Sequence, residues 1–296
     1  MTLNDLVALV EVSHVASIKG TLTGILSLIN DPTATSRELK SIIQLDPPLV
    51  AKILCVANSP YYASSRTISA IDQALIWIGF DELKEIVLTQ KMSELYRGNR
   101  KDAGACFRER LWRHSLGVAL IAKAIFRREF GERGNNAYAA GLMHDLGVIV
   151  EDQFMHDKLH PLLCQETRPD EEANEKGIES SLVFFERSAF GFDHCMVGGE
   201  LARRWGFPEE LVEAIGFHHF PEKASPELQK FVKTIFIADC LMVERSCGHD
   251  ERSFSEKELF ERYCGELDLS RFALASIMES AMESLEEIQE QGLLIS

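Results

Sequence analysis

A histidine and an aspartate stand side by side, His144 and Asp145, inside an otherwise apolar run over residues 138–150. The run is compatible with a helix. Burying a lone imidazole is tolerable, but burying a carboxylate beside it is not unless something pairs with it. The partner can be a cation, a hydrogen-bond network or a metal ion. The plainer alternative is that His144 caps a turn and Asp145 is exposed. The choice between them rests on what the remaining residues can bring to Gly141-Leu142-Met143-His144-Asp145-Leu146-Gly147.

Those residues read as helices throughout. Leu22, Ile25, Leu26, Leu28 and Ile29 make the first apolar stripe at helical spacing, and Leu39, Ile42 and Ile43 follow Ser36 in the second. Asp46-Pro47-Pro48 is a break and a helix start, because proline suits a first turn. Ile68, Ile71, Ala74, Leu75 and Ile78 form another stripe, closed by Gly79 as a C-cap, with Asp81 opening the next helix. Asp193 is expected as an N-cap ahead of Val197, Leu201 and Trp205, and Gly206-Phe207-Pro208-Glu209 as a stop and restart. The tail from 255 to 296 reads as two Glu-rich amphipathic helices. No sequence repeat and no Gly-rich phosphate loop is visible, and few segments read as strands.

The linker-like segment 98–104 predicts an N-terminal helical subdomain over 1–100. A core over 101–245 carries the His/Asp residues, and a helical extension covers 246–296. The polar, acid-rich segment 165–180 is expected to be a surface excursion. A formal net charge of -15 disfavours nucleic acid as a partner, since such a surface repels phosphate backbones. Arg127-Arg128 and Arg203-Arg204 are the best basic clusters, and both read as solvated helix faces. The 7 cysteines include no CxxC pair, which points to reduced thiols in the cytoplasm. No apolar run approaches the roughly 20 residues that cross a bilayer, and the N-terminus lacks the basic start of a signal peptide.

His114, His144, Asp145, His194, His218, His219 and Asp239 all fall on apolar helical stripes, where His and Asp need partners. Imidazole and carboxylate suit divalent first-row metals, and several helices can aim such groups into one bundle core. An aspartate beside a ligating histidine can bridge two ions, which one imidazole nitrogen cannot. Taken singly, each histidine is more often a core or surface residue than a ligand. The order H…HD…H…HH…D from 114 to 239 is far more specific. His14, His156, His160 and His249 lack such context and are set aside.

The order resembles the HD superfamily of metal-dependent phosphohydrolases, an all-helical group named for its His-Asp pair. That resemblance implies an all-α, multi-helix bundle. It assigns one ion to His114, His144, Asp145 and Asp239, and in dinuclear members adds His194 and one of His218 or His219. The metal is left open among Fe, Mn, Zn, Co and Ni, as is a mono- or dinuclear site. The likeness is closer to the HDOD (HD-related output domain) branch. It is carried by Ile42-Ile43-Gln44-Leu45-Asp46-Pro47, Ala57-Asn58-Ser59-Pro60, Ala74-Leu75-Ile76-Trp77-Ile78-Gly79 and Leu111-Trp112-Arg113-His114-Ser115. Ala140-Gly141 leading into the His-Asp stretch, Gly191-Phe192-Asp193-His194 and Trp205-Gly206-Phe207-Pro208-Glu209 with His218-His219 complete it.

The HDOD resemblance implies a bacterial signalling or regulatory module with a protein partner, without established enzymatic activity, and leaves homo-oligomerisation open. Phosphodiesterases of the related HD-GYP group usually carry a lysine three residues after the Asp of the pair, where this chain has Val148. They also carry a Gly-Tyr-Pro loop, where this chain runs Phe220-Pro221-Glu222-Lys223. Phosphoryl transfer needs groups that orient phosphate oxygens as well as a metal. Arg113, beside His114, is the one candidate. The expectation is a non-catalytic module that keeps a metal site. The alternative is a phosphohydrolase acting on a nucleotide or cyclic dinucleotide.

Overall fold

Caps written into the sequence start the N-terminal helices. Thr2 and Asp5 form a capping box at the head of α1 (Leu3–Glu11), and after α2 (Lys19–Asn30) Thr35 and Glu38 do the same for α3 (Ser36–Gln44). Asp46 accepts from the Leu49 amide at 3.0 Å, and α4 (Pro47–Ala57) begins on Pro47 as expected. Asn58 then ties two segments together. Its amide donates to the carbonyls of Leu54 and Ile68, and its oxygen accepts from the Ile68 N–H. That fixes the entry to α5 (Ile71–Ile78). Gly79, at φ 97°, ends α5 and lets α6 (Phe80–Arg97) start at once. Only glycine takes that backbone angle cheaply.

The computed structural model describes residues 1–60, 62, 67–97, 104–166, 182–244 and 254–290, and among them the regular structure is entirely helical. After α6 come α7 (Ala105–Arg128), α8 (Asn135–Met143), α9 (Leu146–Glu166), α10 (Leu182–Phe190) and α11 (His194–Trp205). The chain continues through α12 (Glu209–Phe217), α13 (Gln229–Glu244), α14 (Phe254–Glu266) and α15 (Arg271–Glu290). The long helix α7 is the axis, packed on α6, α8, α13 and α15, while α11 lies on α9 and α12. Helix α1 also packs on α11, and one apolar core runs from Leu6 to Leu285. Residues 98–103 and 246–253, where the subdomain boundaries are expected, lie outside the described residues, as does most of the expected excursion at 165–180. Among the described residues no single helix is long and apolar enough to cross a membrane.

The run 138–150 is not one continuous helix. Helix α8 stops at Met143 and α9 starts at Leu146, so His144 and Asp145 occupy the turn between them. The Asp145 carbonyl already accepts the first bonds of α9, from the amides of Val148 and Ile149. Two glycines allow this corner to sit deep in the bundle. A Cβ on Gly141 would lie 2.7 Å from the Ala119 backbone of α7, and one on Gly147 would lie 1.9 Å from the His194 carbonyl oxygen. The glycines on either side of the His-Asp pair are therefore where α7 and the start of α11 press against it.

Candidate metal centre

Five parts of the fold deliver side chains to one point. His114 comes from α7, His144 and Asp145 from the α8–α9 turn, His194 from the first residue of α11, His218 from the cap of α12, and Asp239 from α13. Asp145 is the hub. Its Oδ2 lies 3.1 Å from His144 Nε2 and 3.8 Å from His114 Nε2. Its Oδ1 lies 3.6 Å from His218 Nε2 and 3.9 Å from His194 Nε2. Asp239 Oδ1 completes the first group at 3.0 Å from His114 Nε2, which is itself 3.3 Å from His144 Nε2. His219 stands at the edge, half-buried, with its ring 5.2 Å from that of His194. The carboxylate thus divides the donors into two groups, one on each oxygen.

The imidazoles are held from behind. His144 Nδ1 and His218 Nδ1 sit 2.8 Å and 2.9 Å from the carbonyls of Gly141 and Ile215, three residues back. His194 Nδ1 sits 2.8 Å from Glu186 Oε2 on α10, an oxygen that also accepts the His194 backbone N–H. Bonding at Nδ1 fixes each ring and turns Nε2 inward, as metal-binding histidines require. Asp193 caps α11 through the Met196 amide and pairs with Arg187, which sets the helix start that places His194.

Charge in this space is arranged unevenly. Burial opposes a charged His144, but the adjacent Asp145 carboxylate outweighs it and raises its pKa. Burial also opposes a charged His194, and Glu186 reverses it, holding that pKa well above the ordinary range. His218 goes the other way, pushed well down by burial and then by the charge of neighbouring His219 and His144. Protonation is thus favoured at His144 and His194 and opposed at His218, and a cation would compete with protons for those nitrogens. The donors suit a divalent ion by type and by inward Nε2 atoms. His194 Nε2 in addition is buried without a hydrogen-bond partner. Two groups of donors on opposite oxygens of one carboxylate are the arrangement two ions can share.

Arg113 does not join them. Adjacent helical positions face different directions, and Arg113 donates to Gln289 Oε1 on α15 at 3.3 Å. Val148 is fully buried in the core. Three neighbours of the cluster escaped the sequence reading. Glu186 precedes His194 by one helix and has no motif. Cys195, buried with its thiol pushed up to about 11 by burial, lies 3.8 Å from the His218 ring. Glu151, fully buried, faces Glu186. His156 and His160, set aside for want of context, have one after all beside Asp152. His249 and the side chain of His14 lie outside the described residues.

Comparison with known proteins fits this geometry. The structure is similar to the crystal structure of an HDOD domain protein of unknown function from Geobacter sulfurreducens. Identity there is 27%, the TM-score is 0.71, and 91% of this chain and 90% of that one are covered. A candidate signal transduction protein from Marinobacter aquaeolei shares the fold at 22% identity and TM-score 0.68, covering 93% of this chain and 58% of that one. By sequence, the chain is 27% identical over 172 residues to ribonuclease Y of Geobacter metallireducens, 58% of this chain and 24% of that protein. An uncharacterized protein of Treponema pallidum is 22% identical over 77% of this chain and 42% of its own length. The chain thus spans less than half the length of these curated relatives. The HDOD domain family itself matches residues 15–221, most of the sequence and every member of the cluster but Asp239, and this chain belongs to that family.

Proposed function

We propose that this chain is a bacterial, cytoplasmic signalling or regulatory HDOD module. It acts through contacts with a partner protein and keeps its His/Asp cluster as a structural metal site without turnover. One observation carries the reading. His114, His144 and Asp145 are each 1% exposed and His194 and His218 0%. An ion there can join five parts of the bundle, and its binding energy adds to folding energy. A phosphodiester would have to displace packed helices to reach it. The proposed ligands are His114, His144, Asp145 and Asp239 on one side, and His194, His218 and His219 with the second Asp145 oxygen on the other. Fe, Mn, Zn, Co and Ni all suit that set.

One feature favours a second reading, a metal-dependent phosphohydrolase acting on a nucleotide or cyclic dinucleotide. Arg187 and Lys223 both lie over the Phe220 ring, at 4.7 Å and 4.2 Å. Phe220 directly follows His219, the least buried histidine of the cluster, so two cations stand by the residue next to its most exposed donor. A bound ion would polarise a phosphoryl oxygen and lower the pKa of its water to about 7. The name of the ribonuclease Y relatives points the same way. The test is elemental analysis of the purified protein, then hydrolysis of phosphodiesters with Mn or Fe added. Bound metal with no hydrolysis supports the regulatory module. Hydrolysis that Asp145→Ala abolishes would establish the enzyme instead, and a metal-free wild type would remove the metal site from both readings.

A further inference from the structure

Seven residues beyond Asp145, helix α9 carries another buried carboxylate, Asp152. The Asp152 side chain has 0% exposure, and its Oδ2 is held by Arg108 Nη1 of α7 at 3.0 Å. Its Oδ1 faces two imidazoles, His156 Nδ1 at 2.9 Å and His160 Nε2 at 3.6 Å. The two rings lie 4.0 Å apart. Donors around a four-coordinate first-row ion, with bonds near 2.0–2.2 Å, stand about 3.3 Å from one another. The two distances at Asp152 fall on either side of that value, and the three donor atoms all lie within 4.8 Å of one another.

A straight helix would not make this cluster. Asp152 and His160 would be about 12 Å apart along its axis. They meet because Met155, between Asp152 and His156, leaves helical geometry at φ -132° and ψ 22° and bends α9. Each neutral imidazole can donate its own N–H to that oxygen, and with those protons released a divalent cation can take a lone pair from all three groups at once. Arg108 occupies the other oxygen, so Asp152 would ligate through Oδ1 alone, oriented from behind as ligating carboxylates commonly are. The imidazoles are 15% and 28% exposed, which leaves coordination positions open to water.

We propose that Asp152, His156 and His160 form a second metal site, separate from the buried His/Asp cluster, that takes one divalent first-row cation through two imidazoles and a carboxylate. Carboxylate and imidazole together suit Zn, Co or Ni. Cobalt(II) is the probe. The full chain is titrated and read by its visible absorption and by metal stoichiometry, as wild type, as Asp145→Asn and as His156→Gln with His160→Gln. The double variant should lose one equivalent and its share of the cobalt band, while Asp145→Asn keeps that share. Unchanged stoichiometry and spectrum in the double variant would overturn the site, as would a band lost in Asp145→Asn and kept in the double variant. If the double variant does not fold, His160→Gln alone should weaken cobalt binding by about tenfold or more. An unaltered affinity there overturns the proposal equally.

Discussion

Asp145 lies in the turn just before α9 and Asp152 two turns into it, and the two gather imidazoles by opposite means. Asp145 draws its imidazoles from α7, its own turn, α11 and the cap of α12, and His114 in turn meets Asp239 of α13. Asp152 finds both of its histidines on its own helix and borrows only Arg108 from α7. The first cluster exists only once the bundle has closed, so anything bound there is coupled to folding. The second is assembled by a bend within α9 and stays open to water on one side, so a guest can come and go with the bundle intact. Donor types are alike in the two places; what differs is how much of the fold must form before the donors meet.

The largest effect that can break this contrast is removal of the hub. Asp145→Ala takes away the carboxylate that four imidazoles face, and with it the charge that favours a protonated His144. Breaking a buried charged network from one side costs about 3–5 kcal/mol. Chemical denaturation should show a loss of that order, with the cluster's metal lost as well. An Asp145→Ala protein as stable as wild type would mean that the bundle does not depend on its central cluster, and the distinction between the two sites would vanish.

The next effect tests the packing that makes the first cluster tertiary. A methyl on Gly147 would lie 1.9 Å from the His194 carbonyl oxygen, so Gly147→Ala must move the start of α11 and His194 with it. Overpacking of this kind costs about 1–3 kcal/mol. The thermal midpoint should fall, and metal should leave the buried cluster while cobalt binding at Asp152 stays. Loss of both signals together would show that the second site is not local to α9.

The same contrast explains what could be read in advance. Asp46, Gly79, Asp193 and Gly206 cap helices where expected, because a cap depends on residues a few positions away. The central His and Asp residues stood out by type and order on apolar stripes, and the structure brings the other six within a few ångströms of Asp145, or of a donor beside it. The break at His144 and Asp145 was not legible. An apolar run with helical composition does not reveal that tertiary contacts at Gly141 and Gly147 turn it into a corner. Glu186 was hidden because its tie to His194 spans two helices. Asp152, His156 and His160 were overlooked because spacing on an ideal helix keeps Asp152 away from His160, and nothing at Met155 announces the bend.

The smallest effect concerns the residue lying between the two clusters on α9. Glu151 is fully buried, and neither of its oxygens, nor Glu186 Oε1, has a hydrogen-bond partner apart from what the two carboxyls can offer each other. Burial, and after it the charge of Glu186, raises the Glu151 pKa well above its ordinary value, so one proton serves the pair. The sign of the linkage follows. In the unfolded chain Glu151 loses its proton above about 4.5, while the folded chain retains it, so the folded state binds more protons and stability declines as pH rises. Glutamine has the same shape, cannot ionise and can donate to Glu186 Oε1. Glu151→Gln should therefore match wild type near pH 4 and exceed it increasingly toward pH 8 in urea denaturation, by about 1.4 kcal/mol for each pH unit over which only the folded state keeps the proton. Glu186 Oε2, which accepts from His194, is untouched by the change, so the buried cluster should keep its donors in place. A gain independent of pH, or no gain, would mean that Glu151 is already ionised in the folded bundle.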